Sequence, residues 1–142
     1  MKKRSTALAA VVLLLVGVFT AQPASAAPTG NWQPYPGGFS APSNWNCGPT
    51  SNGPAVSAQA CLVRSGNYVQ AATIVRNRTS SQVITSVYQV LSFGATSGTC
   101  EASGIAANSV SVCFTSTINH ASTTRVSADV SGISGFIYSP NG

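Results

Sequence analysis

Proton-transfer chemistry has few places to happen in this chain. Beyond residue 26 it contains one histidine, His120, and two carboxylates, Glu101 and Asp129. A Ser-His-Asp hydrolase needs a nucleophile, an imidazole and a carboxylate held at defined separation. Serines are abundant, but no G-x-S-x-G elbow singles one out. His120 lies in Asn119-His120-Ala121-Ser122, which reads as a solvated turn between two strands. A glycosidase needs two carboxyl groups flanking one bond. Glu101 follows Cys100 in a Gly/Ser/Thr-rich stretch, and no pattern ties it to Asp129, which alternates onto the wet side of a strand. Phosphate-cradling loops end in Lys, and no Lys follows Lys3. No catalytic set and no cofactor are therefore assigned, and a non-enzymatic protein is expected.

The remaining reactive side chains are four cysteines, Cys47, Cys61, Cys100 and Cys113. They lack C-x-x-C or His-x-His spacing, so no metal site is expected. An even count in an exported chain reads as two disulfides, with three connectivities open. The local scheme, Cys47 with Cys61 and Cys100 with Cys113, is preferred because Cys113 falls among the polar residues of its strand, away from the interior. Each such loop of about fifteen residues contributes roughly 3 kcal/mol by chain entropy. Longer loops would contribute more, so energetics does not choose, and an inter-sheet bridge from Cys61 to Cys113 stays the rival. Cys47-Gly48-Pro49 with its second cysteine at Cys61 resembles a segment of small exported inhibitors of subtilisin-like proteases. The likeness ends there, since Cys100 and Cys113 are placed differently and no matching reactive-loop motif follows.

Aromatic side chains offer a second kind of chemistry, stacking on sugar rings or anchoring a protein interface. Trp32, Tyr35, Phe39 and Trp45 cluster in residues 27–54 and are the candidate ligand-binding residues. The competing role for these rings is to wrap back over an otherwise wet face or edge of the fold. The same segment holds Pro28, Pro34, Pro36, Pro42, Pro49 and Pro54, a density of breakers that excludes helix and central strand. The sequon Asn77-Arg78-Thr79 reads as an Asn-favoured turn.

What must position these groups follows from the rest of the chain. Residues 1–26 carry Lys2, Lys3 and Arg4, an apolar run and Ala24-Ser25-Ala26, the order of a cleaved secretory signal peptide. The apolar run falls short of the ~20 residues that span a bilayer, so no membrane association is expected after cleavage. Removing the signal takes the formal charge from +5 to +2. That charge is scattered and excludes the clustered basic footprint of a nucleic-acid binder.

Residues 55–142 are rich in Val, Ile, Thr, Ser and Tyr, and predict strands at 58–64, 68–76, 82–93, 109–118, 124–130 and 135–139. Residues 94–104 read as a long loop. Short breaks elsewhere favour antiparallel neighbours. In 82–93 both faces carry large apolar residues, so that strand should be central or covered on its second face by the aromatic arm. The expectation is an all-β chain, a small antiparallel β-sandwich of immunoglobulin-like architecture with about five to seven strands, two disulfides and an N-terminal Pro/Gly/aromatic arm. No Trp lies between Cys61 and Cys113, so the immunoglobulin fingerprint itself is missing. The function expected is a secreted module binding an extracellular ligand, a cell-wall or environmental glycan ahead of a protein partner. A protease inhibitor acting through residues 94–104 and a small secreted hydrolase are the alternatives.

Overall fold

In the computed structural model, residues 30–94 and 97–142 are described; the expected signal peptide and the first residues of the arm lie outside them. The described chain is all strand and loop. In order, the strands are β1 (Asn31–Pro34), β2 (Trp45–Cys47), β3 (Ser51–Asn52), β4 (Val56–Ser65), β5 (Tyr68–Asn77) and β6 (Val83–Leu91). There follow β7 (Ser97–Ile105), β8 (Val110–Phe114), β9 (Ile118–Asn119), β10 (Val126–Val130) and β11 (Ile137–Tyr138). The first sheet runs β1-β8-β5-β4-β2, with β3 paired to β4 and β9 to β5. The second runs β11-β10-β6-β7, and every pairing in both is antiparallel.

The hairpin β4–β5 shows why these residues make strands. Its two ten-residue strands pair from Val56↔Asn77 to Ser65↔Tyr68, closed by the two-residue loop Gly66-Asn67. Gly66 takes φ 56°, the left-handed conformation such a loop needs at its first central position. Period-two alternation then sends Val56, Ala58, Ala60 and Leu62 of β4, with Val69, Ala71 and Val75 of β5, to one side. There they meet Val87 and Leu91 of β6 and Val126, Ala128 and Val130 of β10, forming the core between the two sheets.

Two expectations need correction. Residues 94–104 are not a long loop: Ser97–Ile105 is strand β7, paired along most of β6. Gly, Ser and Ala outnumber the β-branched residues there, but the edge of β6 offers a row of backbone partners. The breaker-rich arm, expected to hold no helix and no central strand, contributes three short strands, β1 and β2 at the two edges of the first sheet and β3 beside β4. Proline is tolerated at an edge, and Pro34 ends β1 there.

The second correction concerns β8. Val110, Val112 and Phe114 face outward beneath the arm, in a second apolar cluster with Cys61, Ala72 and Ile74. Cys113 points the other way, fully buried in the main core. The disulfides are Cys47–Cys61 and Cys100–Cys113, as the local scheme expects. The reason given for that scheme fails, however, because Cys100–Cys113 crosses the sandwich, from β7 in one sheet to β8 in the other. Cys47–Cys61 joins directly opposed residues of the neighbouring strands β2 and β4. Two formed disulfides are consistent with an extracellular protein.

The arm also closes both open sides of the sandwich. On one side the Gly30 amide donates to the Thr99 carbonyl at 2.8 Å, and the Trp32 indole N–H donates to the Glu101 carbonyl at 2.8 Å. Both carbonyls belong to the edge strand β7, whose free groups would otherwise be open to pairing with another chain. On the other side Asn46 Nδ2 donates to the Asn141 carbonyl at 3.0 Å, and Gly48 packs on the backbone of Tyr138.

Candidate functional site

The four aromatic residues singled out in the arm do not form one group. Tyr35, Phe39 and Trp45 settle on the outer face of the first sheet, over Ile74, Val112 and the Cys47–Cys61 disulfide. Tyr35 stacks on Trp45 with ring centroids 5.7 Å apart, and Trp45 meets Phe114 edge-on at 5.5 Å. Trp32 points to the opposite side and packs against the main core. All four are half-buried.

The second sheet lacks such a cap, and its outer face carries exposed rings, among them Tyr88 on the second apolar face of 82–93, which was expected to be central or covered. Among the large apolar residues, Ile84 is 62%, Tyr88 44%, Phe136 54% and Tyr138 44% exposed. Strand β6 is central in its sheet, between β10 and β7, yet its second face is open. Register fixes the layout of that face. Tyr88 lies opposite Asp129 on β10 and Thr99 on β7. One pleat along, Tyr138, Ser127 and Val90 form the next row across β11, β10 and β6. Strand spacing and rise put the Tyr88 and Tyr138 Cα atoms roughly 12 Å apart. Phe136 precedes Tyr138 by one two-residue period. Arg125, immediately before β10, holds the Tyr138 ring, its Cζ 4.8 Å from the centroid.

The two carboxylates fall on this same face, on either side of β6. Asp129 is opposite Tyr88. Glu101 comes just after Cys100, where β7 carries an extra residue relative to β6: Thr85 pairs with Ser103 but Val87 with Cys100. This bulge leaves both Glu101 and Ala102 exposed. Among the described residues neither carboxylate accepts a hydrogen bond from a protein side chain or amide, so nothing fixes their separation. Glycosidase pairs are held at about 5.5 Å or at roughly 6.5–9.5 Å. As placed here, the two groups can accept hydrogen bonds from a hydroxyl-bearing ligand lying over Tyr88.

His120 lies in the connection between β9 and β10, as expected, but its ring is not freely solvated. It is half-buried and stacks on Phe93 at 3.7 Å between centroids; its amide donates to the Asn67 carbonyl and its own carbonyl accepts from Arg64 at 3.0 Å. No hydrogen bond joins it to Asp129 or to a serine hydroxyl among the described residues. Asn77 is fully buried and its amide nitrogen donates to the carbonyls of Ser81, Ile105 and Ala106. Its Oδ1 accepts from the Thr79 amide, so Asn77 organises a turn and its nitrogen is not open to a glycan-transferring enzyme. Among the described residues no three His, Cys, Asp or Glu side chains gather as metal ligands. No protein-family model matches the chain, and neither a curated protein nor a solved structure matches it at a significant level.

Proposed function

We propose that this is a secreted, non-enzymatic glycan-binding module, and that the ligand lies across the outer face of the second sheet. The observation that carries this reading is the exposure of Tyr88 and Tyr138 on one sheet face, with Asp129 and Glu101 flanking Tyr88. Contiguous exposed apolar surface rimmed by polar groups is characteristic of interaction sites. Tyrosine faces suit the C–H face of a pyranose ring, while carboxylates, which accept only, suit its hydroxyl donors. The spacing of the two rings lets them meet different sugar units of one chain. A neutral glycan fits best, since two carboxylates would repel an acidic one.

Pull-down of the purified protein on peptidoglycan, chitin and cellulose, followed by titration with soluble oligomers of the bound polymer, tests this. Tyr88→Ala should weaken binding by roughly thirtyfold, the loss of an anchor worth ~2 kcal/mol. The melting temperature should barely move, because the ring is close to half exposed. Retained affinity in a Tyr88→Ala, Tyr138→Ala double variant, or binding to none of the polymers, overturns the reading.

A further inference from the structure

Four arginines lie among the described residues, and three are committed. Arg64 donates to the carbonyls of His120, Ser122 and Gly142; Arg78 donates to that of Gly53; Arg125 lies over Tyr138. Among the described residues Arg76 alone has neither a hydrogen-bond nor a ring partner. It stands exposed on the outward side of β5, beyond the apolar residues Ala72 and Ile74 that the arm covers.

There Arg76 lines an open cleft of about 590 Å3 with Pro34, Tyr35, Pro36, Asn108 and Val110. That volume is in the range of small-molecule clefts, roughly 300–1,000 Å3. The walls are set before any ligand arrives. Tyr35 is fixed by its stack on Trp45 and by its hydroxyl, which donates to the Ser40 carbonyl at 2.6 Å. Pro34 and Pro36 stiffen the chain on either side of it. Asn108 takes φ 55°, held by its amide bond to the Thr79 carbonyl, and its side-chain amide has no partner among the described residues. Both carboxylates of the described chain are on the other sheet, so nothing neutralises Arg76.

We propose that this cleft is a second binding site, for a sugar unit carrying an anionic group. Arg76 takes the carboxylate or phosphate, the Tyr35 and proline surfaces pack against the ring, and the Asn108 amide pairs with a hydroxyl. A guanidinium offers a planar fork of donors that matches either anion. The site is on the opposite sheet from the tyrosine face and stands whether or not that face binds glycan.

The test is calorimetric titration of the purified protein with trigalacturonate, with its methyl ester and with glucose 6-phosphate, together with amide chemical-shift mapping. At least one anionic probe should bind, moving the amides of Tyr35, Arg76 and Asn108, while the ester should not; the preferred probe tells carboxylate from phosphate. Arg76→Gln should weaken binding roughly tenfold or more at an unchanged melting temperature, and Arg76→Lys should weaken it less. Equal affinity for acid and ester, an unaffected Arg76→Gln variant, shifts confined to another face, or no binding of either anionic probe overturns the proposal.

Discussion

The most exacting test of the sandwich core is a double-mutant cycle on Gln89 and Thr73. Gln89, from β6 of the second sheet, is fully buried between the sheets. Its Oε1 accepts from the Thr73 hydroxyl on β5 at 2.7 Å, and its Nε2 donates to the Cys113 carbonyl on β8 at 2.9 Å. Gln89→Leu keeps most of the volume but leaves the Thr73 hydroxyl without its acceptor. Thr73→Val keeps the shape but orphans Oε1. Thr73→Val should cost about 1–3 kcal/mol, the penalty for one buried unpaired polar group, and Gln89→Leu more, because it also removes the donor to the Cys113 carbonyl. The double variant replaces both partners with apolar groups of similar size and should cost no more than Gln89→Leu alone. The coupling is then about 2 kcal/mol. Loss of the Cys113 bond occurs in both variants lacking Gln89, so it cancels from the cycle. Urea unfolding measures it: with m of about 1–3 kcal/mol/M, each single variant shifts the midpoint by roughly 1 M. Additive single changes, with the double variant equal to their sum, would refute the shared inter-sheet hydrogen bond.

Other consequences follow from the same geometry. Limited reduction by dithiothreitol should open Cys47–Cys61 before Cys100–Cys113, because Cys47 is half-buried whereas Cys100 and Cys113 are both fully buried; alkylation mapping that finds the reverse order contradicts the fold. Replacing Cys100 and Cys113 together by Ala should cost roughly 3 kcal/mol and lower the melting temperature by about 10–20 °C. A Cβ at Gly48 would overlap the Tyr138 carbonyl oxygen, so Gly48→Ala should displace β11 and weaken both stability and glycan affinity, read by melting and titration on one sample. His120→Ala should lose its stack on Phe93, about 0.5–1.5 kcal/mol, and leave glycan affinity unchanged; a catalytic activity abolished by it would overturn the non-enzymatic reading.

Much of the fold was legible because alternation and turn chemistry are local. The strands from 58 to 93 and from 124 to 130 follow from their Val, Ile and Thr content, and the Ser65-Gly66-Asn67 break from its glycine. What alternation cannot say is which face of a strand looks inward when two apolar layers are present. In β8 the large residues Val110, Val112 and Phe114 suggest the interior, yet they meet the arm, while Cys113 enters the main core. The preferred disulfide pairing was therefore reached on a mistaken face assignment. Strand β7 was illegible for a different reason. Its Ser-Gly-Thr-Cys-Glu-Ala-Ser-Gly sequence has little intrinsic strand preference, and it is held by non-local partners: β6, the Cys113 sulfur, and the Gly30 and Trp32 donors.

The candidate site arises from the same ambiguity. Both β5 and β6 carry apolar residues on two faces, and each asks for an outer cover. The arm supplies one set of rings, Tyr35, Phe39 and Trp45, and lays it over Ala72 and Ile74 of β5. Reach decides this: β1 pairs with β8 and β2 with β4, so the intervening arm is tethered at both edges of the first sheet and spans its outer face. The outer face of β6 is left to Tyr88, Ile84 and the half-buried Val90, with Tyr138 and Phe136 beside them. An aromatic sheet face left open in this way costs solvation unless something covers it at work, which is why Tyr88, on a face the sequence led one to expect covered, and its neighbour Tyr138 are the ones proposed to meet a ligand.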